Sequence, residues 1–161
     1  MKFEIQSRYP ASAAVVMRMF MDPAFHTGKL EALGLTKYRV LEQKAEGDSF
    51  RIRIERKVPL DAPAMIRKVV PAETTATSEE RWNSSTMKGR VSVEPGVPVD
   101  MSCEASMSDV AGGQCLVRYA WEVRARVPLI GGALEKFIGS DLERKMVDET
   151  RVAVGLLEKY R

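Results

Sequence analysis

A chain of 161 residues with 45% apolar and 29% charged side chains can bury a core without a disulfide or metal staple, and is too apolar to be disordered. Its 25 basic and 22 acidic residues leave a net charge of +3, interspersed rather than blocked, which argues against nucleic acid as a partner. One histidine and two cysteines, Cys103 and Cys115, are too few for a Cys/His metal site, so neither metal nor cofactor is expected.

The start, Met1–Arg8, alternates charged and apolar residues, and Arg18 interrupts the apolar run Ala13–Met21. A secretory leader needs a basic start and an unbroken apolar stretch, so the expected location is the cytoplasm. Lys2–Tyr9 reads as a half-buried strand, with Phe3, Ile5, Ser7 and Tyr9 on one face. Ala11–Met21 turns helical, with Ser12 as its cap. Asp22-Pro23 starts a second helix, which should run to about Leu33 and end at Gly34.

Alternation then returns. Leu35–Ala45 and Asp48–Val58 read as strands joined by a turn at Glu46-Gly47-Asp48. Phe50, Ile52 and Ile54 share one face of the second, and Arg51, Arg53 and Glu55 the other. Pro59–Val70 is irregular and apolar, with room for one helical turn. Four strands follow, over about 72–83, 86–94, 98–109 and 114–126. Their turns are Asn83-Ser84-Ser85-Thr86, a type II turn at Pro95-Gly96 and a three-residue loop at Ala111-Gly112-Gly113. From Leu134 to Tyr160 apolar residues recur at helical spacing, which predicts one long helix kinked at Gly139-Ser140. Ser140 and Glu143 resemble a capping box, which leaves two helices open.

The order predicts a single α+β domain over 1–161, an antiparallel meander with its helices on one face. Turn lengths set the register. A two-residue loop at Ser84-Ser85 places Trp82 opposite Met87, Glu80 opposite Gly89 and Ser78 opposite Val91. A five-residue link over 94–98 places Val91 opposite Met101 and Gly89 opposite Cys103. The loop at 111–113 places Cys103 opposite Trp121 and Ala105 opposite Tyr119. At all three turns the apolar residues fall on one face.

This order resembles the START-like (SRPBCC) helix-grip superfamily, which includes polyketide cyclases and the birch-pollen-allergen fold. Tyr9-Pro10-Ala11-Ser12, Asp22-Pro23-Ala24-Phe25, Glu80-Arg81-Trp82 and Val127-Pro128-Leu129-Ile130-Gly131-Gly132 resemble one bacterial family of unknown function within it. The resemblance implies a curved seven-stranded sheet gripping the C-terminal helix, with a cavity between them. It implies an apolar or amphipathic small-molecule partner, such as a lipid, a sterol, a polyketide or a hormone.

The predicted cavity wall is Ile52, Ile54, Val91, Met101, Cys103 and Trp121, closed by Leu142 and Met146 on the helix. Thr74, Ser78, Glu80 and Tyr119 are its polar members, and Ala76, Gly89 and Ala105 leave space. Glu80, a carboxylate facing apolar surroundings, should have a raised pKa and could act as general acid or base. Tyr119 could donate a hydrogen bond. His26 reads as a surface or capping residue. The methionines, Met17, Met19, Met21, Met65, Met87, Met101, Met107 and Met146, read as core or as an adaptable lining. Arg51, Arg53, Lys88, Arg90, Arg124 and Arg126 point outward. Carrier or sensor is the leading reading; a cyclase or dehydratase in the same cavity, or an interaction module with a closed core, are the alternatives.

Overall fold

A computed structural model describes the whole chain, Met1–Arg161. Seven strands form one antiparallel sheet in the order β1-β7-β6-β5-β4-β3-β2. They are β1 (Lys2–Tyr9), β2 (Tyr38–Glu46), β3 (Ser49–Pro59), β4 (Glu73–Asn83), β5 (Lys88–Glu94), β6 (Val99–Val110) and β7 (Gln114–Ala125). Helices α1 (Ala13–Phe20) and α2 (Pro23–Ala32) follow β1, and α3 (Gly131–Leu156) closes the chain with a final 3-10 turn, Leu157–Tyr160. No helix is long and apolar enough to cross a membrane.

The helices begin where their caps dictate. The Ser12 hydroxyl accepts from Val15 N–H at 3.3 Å, and Asp22 Oδ1 accepts from Ala24 N–H at 3.0 Å. Gly34, at φ +77°, ends α2 in the left-handed conformation that a side chain disfavours. α3 runs unbroken through Gly139-Ser140, so Ser140 caps nothing. Its entry is turned by Leu129, at φ +70°, rather than by either following glycine.

The inward parity of β1 and of β3 to β7 is as the alternation predicts, whereas β2 changes parity at a bulge between Val40 and Glu42, and two registers are corrected. Trp82 pairs with Gly89 and Glu80 with Val91, two positions from the expected partners. The loop after β4 is four residues long because Asn83 Oδ1 accepts from both Ser85 N–H and Thr86 N–H, and Met87 adopts φ +56°. Val91 then pairs with Cys103 and Gly89 with Ala105, again a slip of two. Here the Thr74 hydroxyl donates to Pro95 O at 2.8 Å and folds the linker over β4. A slip of two preserves the face, so the apolar residues stay inside. Across the 111–113 loop, Cys103 faces Trp121 and Ala105 faces Tyr119, as expected.

The main core lies between the concave sheet, α1, α2 and the C-terminal half of α3. Val16, Met17, Met19, Phe20, Ile52, Val117 and Leu157 are at its centre. A second core joins Leu134 and Ile138 of α3 to Ile66, Val70, Val99 and Val123, and so fixes the irregular 60–70 segment. The outward arginines meet acids on the convex face: Arg51 meets Glu42, Arg90 meets Glu104, Arg126 meets Asp100 and Arg124 meets Glu122. Such exposed pairs are worth little individually.

Both cysteines are free and buried. Burial pushes the Cys103 thiol up to about 12 and the Cys115 thiol up to about 11. Neither forms much thiolate at neutral pH, and thiolate is the reactive species. Ellman titration should find no fast-reacting thiol in the native protein and two after denaturation without reductant. Rapid native labelling would contradict the packing of β6 and β7.

Candidate functional site

Between the concave sheet, α2 and α3 lies an inner cavity of about 100 Å³. Eight elements line it: α1 gives Phe20 and β5 gives Val91 and Val93, while the polar groups come from β1 with Tyr9, α2 with His26 and Lys29, β3 with Arg56, β4 with Ser78 and Glu80, β7 with Tyr119 and Trp121, and α3 with Glu149 and Thr150. An outer pocket of about 330 Å³ opens between α3 and the β3–β4 side of the sheet, lined by Leu35, Val58, Leu60, Met101 and Ile138 among others. Arg56, Val93, Leu142 and Glu149 line both and form the partition. The inner space alone is below the roughly 300–1,000 Å³ of ordinary ligand pockets, whereas the outer one reaches that range.

The polar groups are held in place. His26 is 3% exposed, and its Nε2–H donates to Phe20 O at 2.6 Å. A carbonyl can only accept, so Nδ1 is left as a lone pair, 3.9 Å from Glu80 Oε2. The ring stacks on Phe50 with centroids 5.6 Å apart. Glu80 also accepts from the Trp82 indole N–H at 3.0 Å. Lys29 Nζ lies 3.8 Å from Glu149 Oε2. Arg56 Nη1–H donates to the Ser78 hydroxyl at 3.0 Å.

Titration follows from these contacts. Burial raises the Glu80 pKa, but His26, Lys29, the Trp82 hydrogen bond and Arg56 together outweigh it, and the group is held below the ordinary carboxylate range. This corrects the expectation of a raised value: the cavity wall is apolar on average, but basic groups surround this one carboxylate. Burial lowers the His26 pKa and keeps the ring neutral, with Glu80 opposing in part. Burial pushes the Tyr119 phenol well above its usual value.

The sign for stability is the same for both shifted groups. A pKa lower in the folded than in the unfolded state means that the unfolded chain binds more protons, so stability falls on acidification. The His26 contribution is intact above its unfolded value near 6.5 and is lost as pH drops through the depressed folded value; that of Glu80 is lost only below about 4.5. The melting temperature should therefore begin to fall below about pH 6.5, and His26→Gln should flatten that first step. An unchanged pH profile in His26→Gln would contradict the buried neutral ring.

Residues 4–157 match the family described as "Protein of unknown function (DUF2505)". The chain belongs to that family. No curated protein matches the DUF2505 chain in sequence. Solved structures do match it in shape. A protein from Thermus thermophilus superposes with a TM-score of 0.67 at 17% identity, over 99% of this chain and 98% of its own. The ZhuI aromatase/cyclase from Streptomyces sp. R1128 gives 0.65 at 16% identity, over 99% and 94%. A START superfamily protein from Mycobacterium smegmatis gives 0.56 at 11% identity, over 99% of both chains. The DUF2505 chain has the START-like helix-grip fold. Identities this low carry the fold and no activity.

Of the residues expected on the cavity wall, Ile54, Ser78, Glu80, Val91, Tyr119, Trp121, Leu142 and Met146 line the inner cavity. Met101 lines the outer pocket, as Leu142 also does. Ile52, Cys103 and Ala105 are buried in the core and line neither. Gly89 leaves no space, because the Trp82 ring lies over it. His26, expected at the surface or as a cap, is buried instead; it shares a helix face with Leu30 and Leu33, and that spacing was the available signal. Arg56 was readable in the same way. The alternation Phe50, Ile52, Ile54 continues inward through Arg56 to Val58, a cation in an apolar register.

Proposed function

We propose that the protein binds an apolar or amphipathic small molecule, as a carrier or sensor, between the sheet and α3. The observation that carries this reading is the pair of contiguous spaces under α3, in which apolar walls converge on a few fixed polar groups. A ligand of ordinary size fits the outer pocket and reaches the inner cavity past Leu142 and Arg56, which line both. Native mass spectrometry of the purified protein tests this: a bound mass should appear and be lost on denaturation. A bare chain, together with unchanged tryptophan emission and melting temperature across fatty acids, sterols and aromatic polyketides, would overturn it.

One observation favours a catalytic second reading. His26 has a fixed tautomer, with Nδ1 facing Glu80 inside the cavity, and a neutral imidazole so placed can take a proton from a bound substrate. If ligand turnover is seen, His26→Gln and Glu80→Gln should abolish it while ligand binding persists; loss of binding in parallel would return the pair to a structural role.

A further inference from the structure

Within the binding reading proposed above, we infer that the ligand is an amphipathic monocarboxylate whose head group pairs with Arg56 and whose tail runs into the outer pocket. The inference starts from charge pairing. Around the two spaces every acid but one has its own base. Glu149 has Lys29, Asp141 has both Arg144 and Lys145, and Asp148 has Arg151. Glu80 is satisfied by the Trp82 indole and faces His26. Arg56 alone makes no ion pair; its single hydrogen bond is to the neutral Ser78 hydroxyl. A guanidinium has five N–H donors in a fork that matches a carboxylate, so most of its donor capacity is unused.

Its position adds to this. Arg56 lies at the junction of the spaces, with Ile54 on one side along β3 and Val58 on the other. Burial lowers its pKa even though Glu149 and Glu80 act in the opposite direction, so those two carboxylates compensate the charge only in part, and an anion in direct contact would add to them. A second donor is also unmet: the Trp121 indole Nε1, on a residue lining the inner cavity, is buried with no partner. Buried donors without partners are uncommon in native proteins, and a ligand oxygen is one way of satisfying them. With one base free of a direct ion pair, and Glu80 and Glu149 already acting on it at longer range, the site has room for one negative charge and no more. A phosphate ester carries a charge of about −1.5 to −2 near neutral pH and would call for a second free base, but Lys29 and Lys145 are already engaged. The outer pocket supplies the apolar half of the site through Leu35, Leu60, Val58 and Ile138.

The test is calorimetric titration of the full chain with decanoate, decanol and decyltrimethylammonium, which share a tail and differ in head group. Decanoate should bind at least about tenfold more tightly than decanol, the equivalent of about 1.4 kcal/mol, and decyltrimethylammonium most weakly. In Arg56→Met, which keeps the stem and drops the guanidinium, decanoate should fall to the affinity of decanol; Arg56→Lys should recover only part of the preference. The wild-type head-group comparison stands even if a variant fails to fold. Equal affinity for decanoate and decanol, a preference for the cation, or undiminished decanoate binding in a folded Arg56→Met would overturn the inference and leave the binding reading standing. If none of the three ligands binds and no co-purified mass is found, both fall.

Discussion

Replacing Leu134 with aspartate should leave the chain without a stable fold at room temperature, whereas Val147→Asp on the same helix should melt within about 2 °C of wild type. Leu134 is fully buried, in the core it shares with Val99, Val123 and Ile66; Val147 is 69% exposed. An unpaired carboxylate at Leu134 has no base within that cluster, so its burial costs several kcal/mol. That is comparable to the whole net stability of a domain, about 5–15 kcal/mol. Leu134→Ala is the graded version: it should cost about 2–5 kcal/mol, or roughly 4–20 °C in melting temperature. Met146→Asp should be severe for the same reason in the main core. Thermal unfolding followed by far-UV circular dichroism decides this, and a Leu134→Asp protein that melts cooperatively near wild type would mean that α3 does not dock as described.

Gly89→Ala, the addition of a single methyl group, should lower stability by about 3 kcal/mol, or roughly 6–12 °C. A Cβ at residue 89 would lie within 3.0 Å of Cε3, Cζ3 and Cδ2 of Trp82. That ring has nowhere to go. It is 2% exposed, meets Phe20 edge-on at 5.1 Å between centroids, and donates to Glu80. Displacing it combines overpacking, about 1–3 kcal/mol, with strain on a hydrogen bond to a charged group, about 1.5–3 kcal/mol. The control is a double-mutant cycle: in a Trp82→Leu background, Gly89→Ala should be close to neutral. A full penalty there would place the clash elsewhere.

Much of this fold was readable from the chain because its punctuation is local. Ser12, Asp22-Pro23, Gly34 and Pro95-Gly96 each act on neighbouring backbone, and strand alternation sets which side chains point inward. The two register errors came from interactions that loop length does not reveal: Asn83 capping its own turn, and Thr74 reaching a carbonyl some twenty residues away. Both slips were even, so the faces survived. The site was less legible for a different reason. Apolar periodicity finds walls, but the chemistry here belongs to polar residues that occupy apolar positions, namely His26 on α2 and Arg56 on β3. Glu149 lies beside the apolar stripe of the last helix and was legible there; Lys29 takes part only through its contact with Glu149 on that distant helix, which no single-segment pattern contains.

The sheet order also constrains how the chain reaches this state. β2 to β7 pair in sequence order, so each hairpin can form from nearby residues. β1 cannot: Lys2 must meet Glu122, and Tyr9 must meet Cys115, across nearly the whole meander. Closing so long a loop costs entropy that grows only slowly with length, about 0.6 kcal/mol per doubling, but the cost falls due before any contact repays it. Pairings of this kind place a protein among the slower folders, on the millisecond-to-second scale. Because α1 and α2 sit between β1 and β2 in the chain, the seating of β1 against β7 also positions α2 over the concave face, and with it His26 and Lys29. The inner chamber is therefore incomplete until that long-range pairing closes.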